Sequence, residues 1–159
     1  MFFELLAKAE DAFMRFLDPK DEKERLRAKR QDEKARREAI VAQHGLDTVF
    51  DGHWQGLAGQ FLLRWYTHST HHQRLLLATP EGIVLAAPPQ RVSVGREKHL
   101  QVVARIPADE ASLFDPFLGE FETRMLLIRF KDGSRLRVET EDLRGELHMY
   151  ALRQSAVGD

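Results

Sequence analysis

Residues 121–140 read FETRMLLIRFKDGSRLRVET. Leu126, Ile128 and Phe130 on one arm, and Leu136 and Val138 on the other, alternate with charged residues. That period of two marks a pair of half-buried strands. The turn between them decides the register. A two-residue Asp132-Gly133 loop would set Ile128 against Arg137 and Phe130 against Arg135, mixing apolar and charged side chains on one face. A three-residue loop, Lys131 to Gly133 with Gly133 in the left-handed region, sets Ile128 against Leu136 and Leu126 against Val138. The sequence therefore predicts an antiparallel hairpin whose apolar face the rest of the chain must cover.

Outward from this hairpin the signals are those of an α+β protein. The chain has 159 residues, 43% of them hydrophobic, and no cysteine. This supports a packed core and excludes disulfides, thiolate metal sites and cysteine nucleophiles. No apolar run approaches the length of about 18 residues that a membrane-spanning helix needs, so the chain is not expected to be transmembrane. The opening MFFELLAKAEDAF carries acids where a signal peptide needs basic and then apolar residues. The expected location is cytoplasmic, with attachment to the membrane periphery as the alternative.

Residues 1–45 read as a helical extension. Phe2, Leu5, Leu6, Ala9, Phe13, Phe16 and Leu17 recur at steps of three and four, which predicts an amphipathic helix over 2–17. Asp18-Pro19 ends it and starts the next, because a residue before proline avoids the helical region and proline suits a first helical position. Residues 19–43 are almost wholly charged, with pairs such as Asp32/Arg36 and Lys34/Glu38 four apart. They predict a solvated helix about 37 Å long, ended near Gly45.

From 46 to 153 short runs rich in Leu, Val, Ile and aromatics are broken by Gly, Pro and Asp. Strands are expected near 54–67, 72–79, 82–87, 91–95, 98–106, 121–130 and 134–140. Residues 107–120 form the longest connection, with room for one helical turn. A last helix is expected from about Thr140 to Arg153, with Gly145 weakening its start, and residues 154–159 as a frayed tail. Trp54 is expected in the core. Seven short antiparallel strands followed by one helix, with the RFKDGSRLRVET ending, resemble a pleckstrin-homology-like domain over residues 48–153. The resemblance implies a partly open β-barrel capped by the C-terminal helix. The fold hosts lipid-binding, peptide-binding and scaffolding members, so it does not by itself assign an activity.

The candidate sites follow from charge and register. Residues 61–105 hold six Lys/Arg and two Asp/Glu, whereas 106–159 hold seven and eleven. With FLLRWYTHSTHHQRLLLAT taken as a hairpin, keeping Phe61, Leu63 and Trp65 inside drives Arg64, Tyr66, His68, His72 and Arg74 onto the other face, with His71 at the tip. Such a patch suits a phosphate or carboxylate. In lipid-binding pleckstrin-homology-like domains, basic residues on the first two strands hold the headgroup, and here Arg64 and Arg74 match that pattern loosely. His68 and His72 are also the candidates for a metal pair, but no Asp or Glu lies between Asp51 and Glu81 to complete it. His53 with Asp51 has the form of a base and its orienting acid, without a serine placed beside it. No metal, cofactor or catalytic residue is expected. The leading expectation is an interaction or scaffolding module that meets a protein partner, or a second copy, through Phe2, Leu5, Leu6, Phe13, Phe16 and Leu17. The alternative is a binder of anionic lipid or phosphate. The acids interleaved along 19–43 argue against nucleic acid, and the four acids against two basic residues in 1–18 argue against an anionic bilayer.

Overall fold

The computed structural model describes residues 19–157. The apolar positions Phe2 to Leu17 lie outside the described residues. The chain divides into two units, residues 1–43 and 44–159. In the first, helix α1 (Pro19–His44) runs for 26 residues, about 39 Å. From Lys20 to His44 no side chain is buried, and only Glu33, Ile40, Val41 and His44 are partly so. The pairs Asp32–Arg36 at 3.4 Å and Lys34–Glu38 at 3.7 Å are exposed and contribute tenths of a kcal/mol each at about 0.3–0.5.

The second unit is α+β. Its elements are β1 (Phe50–Asp51), α2 (Leu57–Thr67), β2 (Leu75–Thr79), β3 (Gly82–Ala87), a 3-10 turn (Arg96–His99), β4 (Gln101–Pro107), β5 (Ala111–Phe114), β6 (Met125–Phe130), β7 (Arg135–Glu139) and α3 (Glu146–Val157). The strands form two antiparallel sheets, ordered β1-β7-β6-β5 and β2-β3-β4. One core joins them: Ile83, Leu85, Ala104 and Ile106 from the smaller sheet, Leu113, Leu126, Ile128, Leu136 and Val138 from the larger, with Phe61 of α2 and Ala151 of α3.

The β6–β7 hairpin has the predicted register. Leu126 pairs with Val138, and Ile128 with Leu136. Phe130 N–H bonds Ser134 C=O at 2.9 Å, Gly133 N–H bonds Phe130 C=O at 3.0 Å, and Gly133 has φ +85°. A side chain at Gly133 would strain that left-handed backbone.

Two expected strands are absent, and two others take their place. Residues 54–67 do not form a strand: Leu57–Thr67 is helix α2. The apolar set that matters is Leu57, Ala58, Phe61, Leu62 and Trp65, spaced for a helix, and not the alternate set Phe61, Leu63 and Trp65. Leu62 is 9% exposed and Leu63 41%. The helix lacks a local side-chain cap. Its cap comes from the hairpin turn: Leu57 N–H donates to Asp132 Oδ2 at 2.8 Å, and Ala58 N–H to Ser134 Oγ at 3.1 Å. The Ser134 hydroxyl in turn donates to Asp132 Oδ1 at 2.5 Å. These bonds satisfy two of the four orphan donors at a helix start. The Ser134 hydroxyl first, then the Leu57 N–H, hold the Asp132 carboxyl below its ordinary value of 3.8. The cap is therefore complete above that value and is lost as pH falls through the lowered one. Gly59 sits where the helix meets the preceding backbone: an added Cβ would lie 2.5 Å from the His53 carbonyl oxygen. Trp54, expected in the core, is 55% exposed and packs its ring against Phe50 at 5.1 Å.

Residues 91–95 are irregular, and Val94 is 88% exposed. The strands gained are β1 and β5, the latter inside the stretch read as the long connection. The last helix starts at Glu146, later than expected, because Arg144 takes φ +60° and interrupts helical backbone. Gly145 thus precedes the helix, where its carbonyl accepts the His148 N–H at 3.0 Å.

Candidate functional site

Because Leu57–Thr67 is a helix, the hairpin face that was to gather five polar residues, with His71 at its tip, does not exist. Arg64, Tyr66 and His68 are exposed on α2 or just beyond it. Thr67 Oγ1 lies 2.9 Å from His68 Nδ1. Arg74 turns its guanidinium onto carbonyl oxygens: Trp65 at 2.9 Å from Nε and 2.7 Å from Nη2, Ser69 at 3.1 Å and Gln73 at 3.2 Å. Trp65 offers one of the last carbonyls of α2, which have no partner within the helix. A cation there also meets the negative end of the helix dipole. Arg74 is a clamp on the helix end, and its donors are committed to backbone.

His71 is a second clamp. It is 3% exposed. Its Nδ1 accepts the Gln73 N–H at 3.1 Å, and its Nε2 lies 3.2 Å from the Val92 carbonyl oxygen. An imidazole carrying its proton on Nε2 satisfies both contacts. Ser69, also buried, donates its hydroxyl to the Pro88 carbonyl and accepts the His71 N–H at 3.0 Å. Thr70 N–H reaches the Pro89 carbonyl at 3.4 Å. The segment after α2 is thereby tied to the loop between β3 and β4. Of the six residues, His72 alone lies exposed against that loop, its ring stacked on His71 at 4.8 Å. Among the described residues, no group of three or more His, Asp or Glu side chains comes together to hold a metal.

Two cavities meet at this junction. One, of about 310 Å³, opens between the start of β2 and the end of β7, where Trp65, Leu75, Leu76, Val138 and Leu147 supply apolar walls. The other, of about 330 Å³, lies under the β3–β4 loop, lined by His72, Arg91, Ser93 and Arg96 among others. His72, Gln73 and Arg96 border both. Gln73 divides them: its amide donates to Glu141 and its carbonyl oxygen accepts from Arg96. Neither Arg91 nor Arg96 is among the residues expected at a site: 91–95 reads as a strand and Arg96 follows it, and the basic excess of 61–105 is the signal that includes them.

A separate polar feature is buried under α3. His148 is 1% exposed, and among the described residues neither ring nitrogen has a hydrogen-bond partner of good geometry. Asp115 and Thr123 are buried too, with Asp115 Oδ1 accepting the Phe117 N–H at 2.9 Å and Thr123 Oγ1 the Met125 N–H at 3.0 Å. Burial pushes the His148 imidazole below 6.5, against the opposing pull of the Asp115 charge and the Met125 backbone. The unfolded chain therefore binds a proton more readily, and stability falls as pH drops below about 6.5. Urea unfolding at pH 7.5 and 5.5 checks this. His148→Leu should gain about 1 kcal/mol at pH 7.5 by removing an unpartnered buried polar ring, and should lose less stability than the wild type at pH 5.5. Equal acid losses in the two proteins would rule His148 out as the source.

No protein-family model, curated protein or solved structure matches this chain. Among the described residues no helix is long and apolar enough to cross a membrane.

Proposed function

We propose that this protein is a non-catalytic interaction module whose partner contact is made by the apolar positions Phe2, Leu5, Leu6, Phe13, Phe16 and Leu17. The observation that carries this reading is the solvation of α1. Between Lys20 and His44 no side chain is buried. In sequence this charged helix follows directly on the segment with the strongest apolar periodicity of the first unit. A helix of that kind has no packing role of its own; it suits a connector between the apolar segment and the α+β unit. Burying a Phe side chain contributes roughly 1.5–3 kcal/mol, so three on one stripe favour a covered state. The partner is a second copy of this chain: a single amphipathic segment of this length is marginal alone, and a two-fold pairing buries both stripes at once. The four acids against two basic residues of 1–18 disfavour an anionic bilayer in the same place. The pleckstrin-homology-like, partly open barrel belongs to the same proposal. Seven antiparallel strands followed by a C-terminal helix support it, and α2 between β1 and β2 is an element beyond that pattern.

Light scattering on the full chain tests it. The wild type should have a dimeric mass and Phe13→Asp a monomeric one, with the same melting curve for the α+β unit. A monomeric mass for both proteins overturns the self-association. So does binding of the wild type, but not of Phe13→Asp, to anionic vesicles without a change of mass.

A further inference from the structure

We propose that the cavity under the β3–β4 loop is a binding site for the phosphate group of a small organic phosphate, with Arg91 and Arg96 as its cationic ligands and His72 and Ser93 at its edge. Several arginines of this unit have their charge or donors engaged within the fold. Arg135 pairs with Asp51 at 2.8 Å, and Arg137 with Glu139 at 3.4 Å. Arg74 is used on carbonyls at the end of α2, and Arg144 donates to the Gly119 carbonyl at 2.7 Å. Arg91 is exposed and, like Arg64, Arg105, Arg124 and Arg153, has no side-chain ion pair or hydrogen bond among the described residues; unlike those four, it lines this cavity. Among the described residues Arg96 engages the neutral amide oxygen of Gln73 and forms no ion pair, which leaves donors of its planar fork unused. Glu97, the acid on the same wall, forms no ion pair with either.

The frame around these two groups is built. His71 holds Gln73 to Val92, and Ser69 and Thr70 hold Pro88 and Pro89. The loop that carries Arg91 and Arg96 is thus fastened at both ends of its first half, which lowers the ordering cost of binding. Guanidinium groups match phosphate oxygens in a bidentate way. A cavity of about 330 Å³ exceeds what one phosphate group fills and falls at the small end of ligand sites. The remainder of the ligand is therefore organic, and the apolar cleft of Trp65, Leu76 and Leu147 adjoins on the far side of Gln73.

The test titrates the full chain with inorganic phosphate and phenyl phosphate, followed by calorimetry and by amide shifts of residues 91–97. Phenyl phosphate should bind more tightly than inorganic phosphate. Arg91→Ala with Arg96→Ala should weaken it at least about tenfold, the loss of one or two charge-assisted contacts. Arg64→Ala with Arg105→Ala, on exposed positions elsewhere, should leave it unchanged. Arg91→Ala alone, at a side chain with no ion pair or hydrogen bond among the described residues, should also weaken binding, which separates loss of a ligand from loosening of the loop. A parallel arm uses phosphatidylcholine vesicles with and without phosphatidic acid. Vesicle binding that the double variant abolishes, without binding of the free probes, assigns the phosphate to a lipid headgroup at the same two arginines. Absence of binding in both arms, or binding that the double variant leaves intact, overturns the site.

Discussion

Ile128→Ala should lower the unfolding free energy by about 3 kcal/mol or more, with a matching shift in the urea midpoint. Ile128 is fully buried at the centre of β6, opposite Leu113 of β5 and Leu136 of β7. Deleting three buried carbons loses their transfer free energy and leaves a cavity that a position between two neighbouring strands cannot close, a cost of about 2–5 kcal/mol in comparable cores. Leu77→Ala is the matched comparison. Leu77 lies on edge strand β2 and is 45% exposed, so its loss should cost well under half as much, on the order of 1 kcal/mol. Urea unfolding of the two variants reads the difference. Equal costs would mean that the β6–β7 hairpin is not the centre of the core.

What could be read from the sequence was what is local. The β6–β7 register followed from alternation together with one glycine at the turn, and both are properties of a continuous stretch. Helix α1 was equally legible, because its opposite charges four apart and the absence of apolar spacing leave no competing period. The reading failed where the deciding contact lies far along the chain. Leu57 to Thr67 carries Phe61, Trp65, Tyr66 and Thr67, which favour strands, and Gly59, which disfavours a helix. What makes it helical is burial against both sheets and a cap from Asp132 and Ser134, 75 or more residues away. Nothing within the segment announces that cap.

The same reason explains the sites. The excess of basic residues in 61–105 was visible, but the place where it gathers was not. His71 and Arg74 looked like ligands by residue type. In the structure they hold the segment after α2 in place, since backbone carbonyls and an N–H meet them first. Arg91 and Arg96 fell inside RVSVG and its following turn, whose β-branched alternation imitates a strand. With Val94 exposed and Val92 tied through its carbonyl to His71, that stretch is a pinned loop instead. Among the described residues the strand count is still seven only because β1 and β5 replace the two strands that are absent.

The clamp by Arg74, the loop anchored by His71 and the cavity lined by Arg91 and Arg96 all depend on α2 being a helix buried between the sheets. The most direct measurement is urea unfolding of Leu62→Asp beside Leu63→Asp. A helix buries Leu62 and exposes Leu63; a strand with Phe61 and Trp65 inside does the reverse. An unpaired carboxylate placed in the core costs several kcal/mol, on the order of 3–5, whereas one placed on the outer face of a helix costs about 0.5 kcal/mol or less. The account predicts that Leu62→Asp loses cooperative unfolding or most of its stability while Leu63→Asp melts close to the wild type. The reverse order, with Leu63→Asp the damaging change, would contradict it.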